Sequence, residues 1–423
     1  MDTIKLLHIS DIHFPEAETA KLTDMKDSGF PPAVADIASL KPLQSVVRKI
    51  QSILQTGVDA ILFCGDLTSK GDLAGYSKCV QFLSKLLRAA LTESWIADRV
   101  FVVPGNHDVN RAFCDPTGND ILKKFLPLVG EWSAVNLNLL SPVLRDALVT
   151  TDRGNRVAIY SVNSCIGCQE KRLLPNQIRD DLHKLFEKYI KRVGSLDAFD
   201  LLGEQIDTPA FVATEIEEIA YHISDLGANV LPVVIGHHNL LSQTTPRTAL
   251  YTELINGGQF RSRMMNSNRP VIYCHGHVHD DPLEIIKKPS SPNSQLLCIS
   301  APQILVGFNM IEIIFGSAGM PIGCAIKLFR LGRDGDFTIE ERRVPLQALG
   351  TLLSTFTDRT KNIIRAIPSG PSRFMGVFND LKRYHINKQD LAHLLLEYEW
   401  FGVIKIENRS YQYDHWQIER LIP

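Results

Sequence analysis

Five short polar motifs in this chain each follow directly on an apolar run: Asp11-Ile12-His13, Gly65-Asp66, Gly105-Asn106-His107-Asp108, Gly236-His237-His238-Asn239 and Gly276-His277-Val278-His279. A fold that uses them together must bring five buried strand ends to one place, although the first and last motifs lie at opposite ends of a long domain. Carboxylates, imidazoles and a carboxamide are the hard and borderline donors that divalent first-row metals take, so the series reads as a two-metal site distributed along the sequence.

The intervening sequence fits that demand. Residues 4–9, 60–63 and 100–103 are short, mostly apolar runs that stop at a motif, as buried strands do when they reach a surface loop. Between them, residues 43–54 and 76–91 place apolar side chains at helical spacing, for example Val80, Leu83, Leu86 and Leu87. This alternation predicts an α/β architecture. Further strands are expected at 156–162, 230–235, 270–274, 296–300, 311–315, 322–331 and 337–344, and helices at 177–193 and 209–226. Arg333-Asp334-Gly335 is a hairpin turn signal, and the first domain, 1–344, closes near Val344.

With 423 residues, 44% of them hydrophobic, the chain can bury a large core and leave a smaller second unit. Its 45 Lys and Arg against 47 Asp and Glu give a net charge of −2, which argues against bulk attraction to nucleic acid or an anionic membrane. The eight cysteines are scattered and no signal peptide opens the chain, so a reducing cytoplasmic location is expected. Cys165 and Cys168 form a Cys-x-x-Cys, but with no second pair at useful spacing they read as two ordinary thiols in a loop. No apolar stretch reaches membrane-spanning length, so no membrane partner is expected.

Two stretches exceed a minimal layout. Residues 15–40 are too long for a plain connection and read as a lid or a packing insertion; 113–150 holds an expected helix at 119–129. The segment 345–423 concentrates aromatics and ends in an expected helix, 387–400, and a hairpin, 403–413, turning at Asn408-Arg409-Ser410. This is the pattern of a small α+β, winged-helix-like domain. Its near-neutral charge favours protein contact or self-association over DNA binding.

Within the motifs, residues separated by one position leave an extended strand on the same face, so Asp11 and His13 can share an ion, as can His277 and His279. A centre of two ions needs a bridging carboxylate, for which Asp66, at the mouth of an apolar strand, is the natural candidate. Of the adjacent His237 and His238, either can be the ligand and the other can contact phosphate or pack. Arg111 can pair with a substrate phosphate or sit in a surface salt bridge. His8 reads as a satisfied interior histidine, and His275 as facing away from the metals.

Taken in order, the five motifs resemble the calcineurin-like metallophosphoesterase superfamily over roughly residues 4–344. The detail in Leu7-His8-Ile9-Ser10-Asp11-Ile12-His13-Phe14, Gly65-Asp66-Leu67-Thr68 and Val103-Pro104-Gly105-Asn106-His107-Asp108 is similar to the bacterial branch that holds class III cyclic-nucleotide phosphodiesterases and defence-associated phosphoesterase domains. The resemblance implies a four-layer α-β-β-α sandwich of two mixed sheets with a dinuclear metal site at strand ends. It implies that Asp11, His13, Asp66 and His279 hold one ion, that Asp66, Asn106, His237 and His277 hold the other, and that His107 is a catalytic histidine outside the ligand set. One departure is Ser69, where many members carry Asp or Asn; it puts the orientation of His107 in question and makes Asp108 a substitute partner for it.

The expected function is that of a metal-dependent phosphoesterase acting on a phosphodiester in a nucleotide, cyclic nucleotide or nucleic acid, by attack of a hydroxide generated between two divalent ions. Manganese is the first choice of metal, with Fe, Zn²⁺ or Co²⁺ as alternatives. A runner-up is a DNA or RNA nuclease in repair or anti-phage defence that holds its substrate or a partner through the C-terminal domain. A reading of another class is a metal-stabilised interaction module without catalysis.

Overall fold

The computed structural model describes residues 2–20, 42–69, 71–110, 113, 120–151, 154–168, isolated positions between 181 and 192, 208–241, 254–279, 283–316, 318–346, 358–409 and 412–421. Among the described residues, twelve strands build the larger unit: β1 (Asp2–Ile9), β2 (Ala60–Cys64), β3 (Val100–Val103), β4 (Arg145–Thr150), β5 (Arg156–Ser161), β6 (Val230–Ile235), β7 (Pro270–His275), β8 (Leu283–Lys288), β9 (Ser291–Ser300), β10 (Gly307–Phe315), β11 (Pro321–Leu331) and β12 (Phe337–Pro345). Three more, β13 (Ser372–Arg373), β14 (Ile404–Glu407) and β15 (Gln417–Arg420), belong to the C-terminal unit.

The twelve form two mixed six-stranded sheets, in the orders β12-β11-β10-β1-β2-β3 and β4-β5-β6-β7-β9-β8. In the first, β1, β2 and β3 run parallel; in the second, β5, β6, β7 and β9 do. Side-chain alternation sorts the layers. Along β1, Ile4 and Leu6 enter a core shared with Val233, Ile235 and Ile272 of the other sheet, while Leu7 and Ile9 face the helices Pro42–Thr56 and Leu73–Arg88. Helices Ala213–Asp225 and Gly257–Met265 cover the far face of the second sheet through Ile216, Ile219 and Phe260. Helix, sheet, sheet and helix make the four layers. A strand buried on both faces has no place for a polar alternate, which is why these strands read as continuous apolar runs.

The C-terminal unit runs helix Asp358–Ala366, β13, helices Phe374–Leu381 and Lys388–Trp400, then β14 and β15, with sheet order β13-β15-β14. This is the topology of a winged helix. Its core, including Ile364, Phe374, Leu391, Leu395 and Ile418, is continuous with Ile314, Ile322 and Ala325 of the larger unit. Trp400 lies against Gly323, where a Cβ would strike its ring, and the Arg343 guanidinium stands 4.5 Å over the same indole.

The structure differs from the sequence reading in several places. The helix expected at 119–129 begins later, at Leu126–Ala134, after a 3₁₀ turn at Lys123–Phe125, because Pro127 suits a helix start and not a helix interior. The expected hairpin at 403–413 has its second strand further on, at Gln417–Arg420, after another 3₁₀ turn at Tyr413–His415. Residues 21–40 of the expected insertion at 15–40, most of the expected helix at 177–193, and Arg111 lie outside the described residues. Among the described residues, no helix is long and apolar enough to cross a membrane, and no disulfide joins any of the cysteines.

Candidate two-metal site

The parallel strands end at a common edge, and each polar motif is the turn that leaves it. β1 delivers Asp11 and His13, β2 delivers Asp66, and β3 runs into a 3₁₀ turn at Asn106–Asp108; β6 and β7 deliver His237, His277 and His279. Backbone hydrogen bonds sew the turns together, from Asp11 N to Gly65 O and from His13 N to Asp66 O, both 3.0 Å, and from Gly276 N to His237 O at 3.1 Å.

These turns are unusually tight. Asp11, His13, Asp66, His277 and His279 all have φ between 48° and 67°. Left-handed backbone at non-glycine residues costs energy, and five such residues at one locus mark it as a built site. Gly65 adopts φ +87°, and a Cβ there would stand 2.6 Å from His237 Nδ1 and 2.8 Å from Gly105 N. A Cβ on Gly105 would collide with Asp66, and one on Gly276 with Ser10 and Asp11.

Two donor sets result, and they share Asp66. In the first, Asp11, His13, Asp66 and His279 bring ligand atoms within 4.8 Å of one another. His279 Nε2 is 3.1 Å and His13 Nε2 3.9 Å from Asp11 Oδ1, and the two Nε2 atoms are 3.2 Å apart. In the second, His237 Nε2 lies 3.2 Å from Asp66 Oδ2 and 3.1 Å from Asn106 Oδ1, with His277 Nδ1 3.2 Å from the same amide oxygen. His237 Nδ1 lies 2.8 Å from the Cys64 carbonyl; donating there, it turns Nε2 toward Asp66 and Asn106.

The donor chemistry fits divalent cations. Asp11 Oδ1 is buried and faces two imidazole nitrogens, and although burial opposes its ionisation, His279 and His237 hold the carboxyl below its ordinary value. Burial opposes ionisation of Asp66, but the imidazoles of His237 and His107 outweigh it and hold the carboxyl well below the usual carboxylate range. Burial likewise opposes charge on His237, yet the Asp66 and Asp11 carboxylates raise its imidazole to about 10. The locus thus calls for positive charge. Burial, and then the charge that His237 carries, press His277 down to about 3.

His107 sits on the rim beside His13, ring centroids 5.1 Å apart, and the His279 side chain is 43% exposed, so the centre opens on this side. Its Nδ1 lies 3.0 Å from the Ser69 carbonyl, and its backbone N–H donates to Asp66 Oδ1 at 2.9 Å. The expectation that Asp108 stands in as the partner of His107 is corrected. The Asp108 oxygens accept from Leu67 N, Thr68 N, Thr68 Oγ1 and Gly105 N at 2.9–3.0 Å, so this carboxylate ties two loops together. Burial and the nearby Asp66 raise it to about 6, against those backbone donors.

His238 is buried with Nδ1 3.0 Å from Ser164 Oγ, and it lies beneath the ligands with its ring centroid 4.5 Å from that of His277. His8 and His275 are interior, pressed by burial to about 3 and about 4. His8 is held against His275, whose backbone partly offsets the burial that lowers it. The partners that sequence reasoning missed are the carbonyls of Cys64 and Ser69 and the hydroxyl of Ser164, which accepts from His237 N and His238 N.

A family model described as calcineurin-like phosphoesterase matches residues 4–281. A curated protein of Vesicomyosocius okutanii, described as "Probable cyclic nucleotide phosphodiesterase", is 24% identical over 110 residues, which is 26% of this chain and 41% of that protein. Among solved structures, a 5'-nucleotidase precursor from Thermus thermophilus aligns over 90% of this chain and 58% of its own at 13% identity and TM-score 0.38. A purple acid phosphatase from yellow lupin aligns over 81% and 54% at 9% identity and TM-score 0.45. The chain therefore spans less than two thirds of the length of each of these three proteins.

Proposed function

We propose that this chain, which belongs to the calcineurin-like phosphoesterase family, hydrolyses a phosphodiester of a nucleotide or cyclic nucleotide with two divalent ions bound, manganese foremost. As a member of that family it is a metal-dependent phosphoesterase. The observation that carries the reading is the pair of donor sets joined through Asp66, opening beside a histidine that belongs to neither. The diester preference draws support from the curated relative, itself described as a phosphodiesterase.

In this reading Asp11, His13, Asp66 and His279 hold one ion, and Asp66, Asn106, His237 and His277 the other. Bound there, the ions supply neutralisation of the phosphoryl oxygens and a water acidic enough to ionise near neutral pH. Asp66 keeps both sets in register, since one of its oxygens is fixed by His107 N and the other faces His237. His107 is held through Nδ1–H by Ser69 O; in its imidazolium form Nε2 would carry the second proton and give it to the leaving oxygen, leaving the neutral ring.

The test is turnover by the manganese-loaded chain of bis-p-nitrophenyl phosphate against p-nitrophenyl phosphate. A panel of cyclic mononucleotides, dinucleotides, DNA and RNA accompanies it. Preference for the diester supports the proposal. Turnover of the monoester alone removes the diester assignment, cleavage of polymers alone moves the substrate to nucleic acid, and no turnover on any of them favours an interaction module.

A further inference from the structure

We propose that Cys165, Cys168 and His238 form a third metal site, for zinc or an ion of similar softness, directly behind the two-metal centre. The Cys-x-x-Cys reads alone as two ordinary thiols. The fold brings His238, 70 positions further on, against both of them. His238 Nδ1 is 3.9 Å from Cys165 Sγ and Nε2 is 4.0 Å from Cys168 Sγ, and one ligand atom from each of the three residues falls within 4.8 Å of the others. Tetrahedral zinc, with Zn–S about 2.3 Å and Zn–N about 2.0 Å, separates sulfur from nitrogen by about 3.6 Å. Only one ring nitrogen can ligate an ion, and with Nδ1 3.0 Å from Ser164 Oγ that atom is Nε2, so Cys165 Sγ, which lies against Nδ1, must shift toward the Nε2 side for the three to close on a metal.

The loop that carries the thiols is built to hold them. Cys168 N donates to Cys165 O at 3.1 Å, closing a single knuckle. Buried side chains then fix its backbone: Asn163 Oδ1 accepts from Cys165 N at 2.9 Å, and Thr208 Oγ1 donates to Gly167 O at 2.8 Å. Lys124, only 2% exposed, donates from Nζ to Ile166 O at 2.8 Å and to Cys168 O at 2.6 Å. An ammonium so deeply buried favours negative charge nearby, and two thiolates on a metal supply it. Cys165, Cys168 and His238 are all 0–1% exposed.

Chemistry favours zinc over the manganese expected next door, because thiolates select softer ions. Three protein ligands leave a fourth tetrahedral position for water. The site would also serve its neighbour, since the His238 ring lies against those of His277 and His237, with centroids 4.5 and 4.9 Å away. Locking His238 to the knuckle fixes those two imidazoles from behind.

Cobalt(II) loading of the full chain provides the test. A near-ultraviolet thiolate-to-cobalt absorption is expected in the wild type, retained in Asp66→Asn and lost in the Cys165→Ser, Cys168→Ser double variant. After zinc exposure and gel filtration, the wild type should hold about one zinc per chain more than that variant. Should the double variant not fold, the wild-type spectrum and His238→Asn, expected to weaken the band, decide instead. A folded, cobalt-loaded wild type without thiolate absorption overturns the proposal. So does a disulfide between Cys165 and Cys168 mapped by peptide mass in the protein as isolated.

Discussion

The Nδ1 of His107 stands 3.0 Å from the carbonyl oxygen of Ser69, while the Ser69 hydroxyl turns the other way and donates to His13 O at 2.6 Å. One residue thus steadies both the rim histidine and the turn that carries a ligand. Because the contact to His107 is made by backbone, the departure of the sequence at position 69 does not leave the imidazole unsupported.

Replacing the rim imidazole therefore separates from replacing the serine side chain. His107→Ala should lower kcat by about 10²–10⁴ with metal content unchanged. Ser69→Ala keeps the carbonyl and should cost far less. Measured kcat and metal-to-protein ratios check this; equal losses in the two variants would show that the hydroxyl, not the carbonyl, carries the effect.

Asp66 faces both donor sets, so Asp66→Asn should lower occupancy of both ions together and reduce activity by more than about 10²-fold, beyond what loss of an outer-shell partner costs. Metal analysis after dialysis gives the reading. Retention of both ions with full turnover would remove Asp66 from the bridging position.

Gly65 and Gly154 both have left-handed backbone, with φ +87° and +79°, but only Gly65 is crowded; nothing lies within 4 Å of a Cβ on Gly154. Gly154→Ala should cost about 1–2 kcal/mol, the conformational penalty alone. Gly65→Ala should cost more in urea unfolding and weaken metal binding as well, because His237 must move. Equal costs would show that the close approach is relaxed without penalty.

Glu215 lies in the first turn of its helix, with Oε1 accepting from Leu144 N at 2.8 Å and Oε2 buried without a partner. Burial raises its carboxyl, partly offset by that N–H. The folded state then holds its proton to higher pH than the unfolded state, so stability falls as pH rises from the unfolded value through the folded one. Glu215→Gln should match wild type in acid and melt higher near neutral pH. A difference that grows toward acid would reverse the assignment.

The strands and the ligand-bearing turns were legible because each apolar run stopped at a polar motif, and burial on both sheet faces left a continuous pattern to read. Edge strands β4 and β8 escaped, since β4 alternates exposed and half-buried residues around charged side chains and carries no such run. The partners of His107 and His237 are carbonyls, and a carbonyl has no residue identity to read. The convergence of His238 on Cys165 and Cys168 was hidden for another reason: the third ligand stands far along the chain, on a different strand end of the same sheet.

The donor sets are divided between the two sheets. Asp11, His13, Asp66 and Asn106 leave strands of one, and His237, His277 and His279 leave strands of the other. Elsewhere the layers meet through a large apolar core, which resists separation well and sliding poorly, and through a few hydrogen bonds such as Asn309 Nδ2 to Ser300 O at 2.7 Å. Ions gripped from both sides would act as a pin through the sandwich, so that mechanical shear between the layers and loss of chemical competence become the same event.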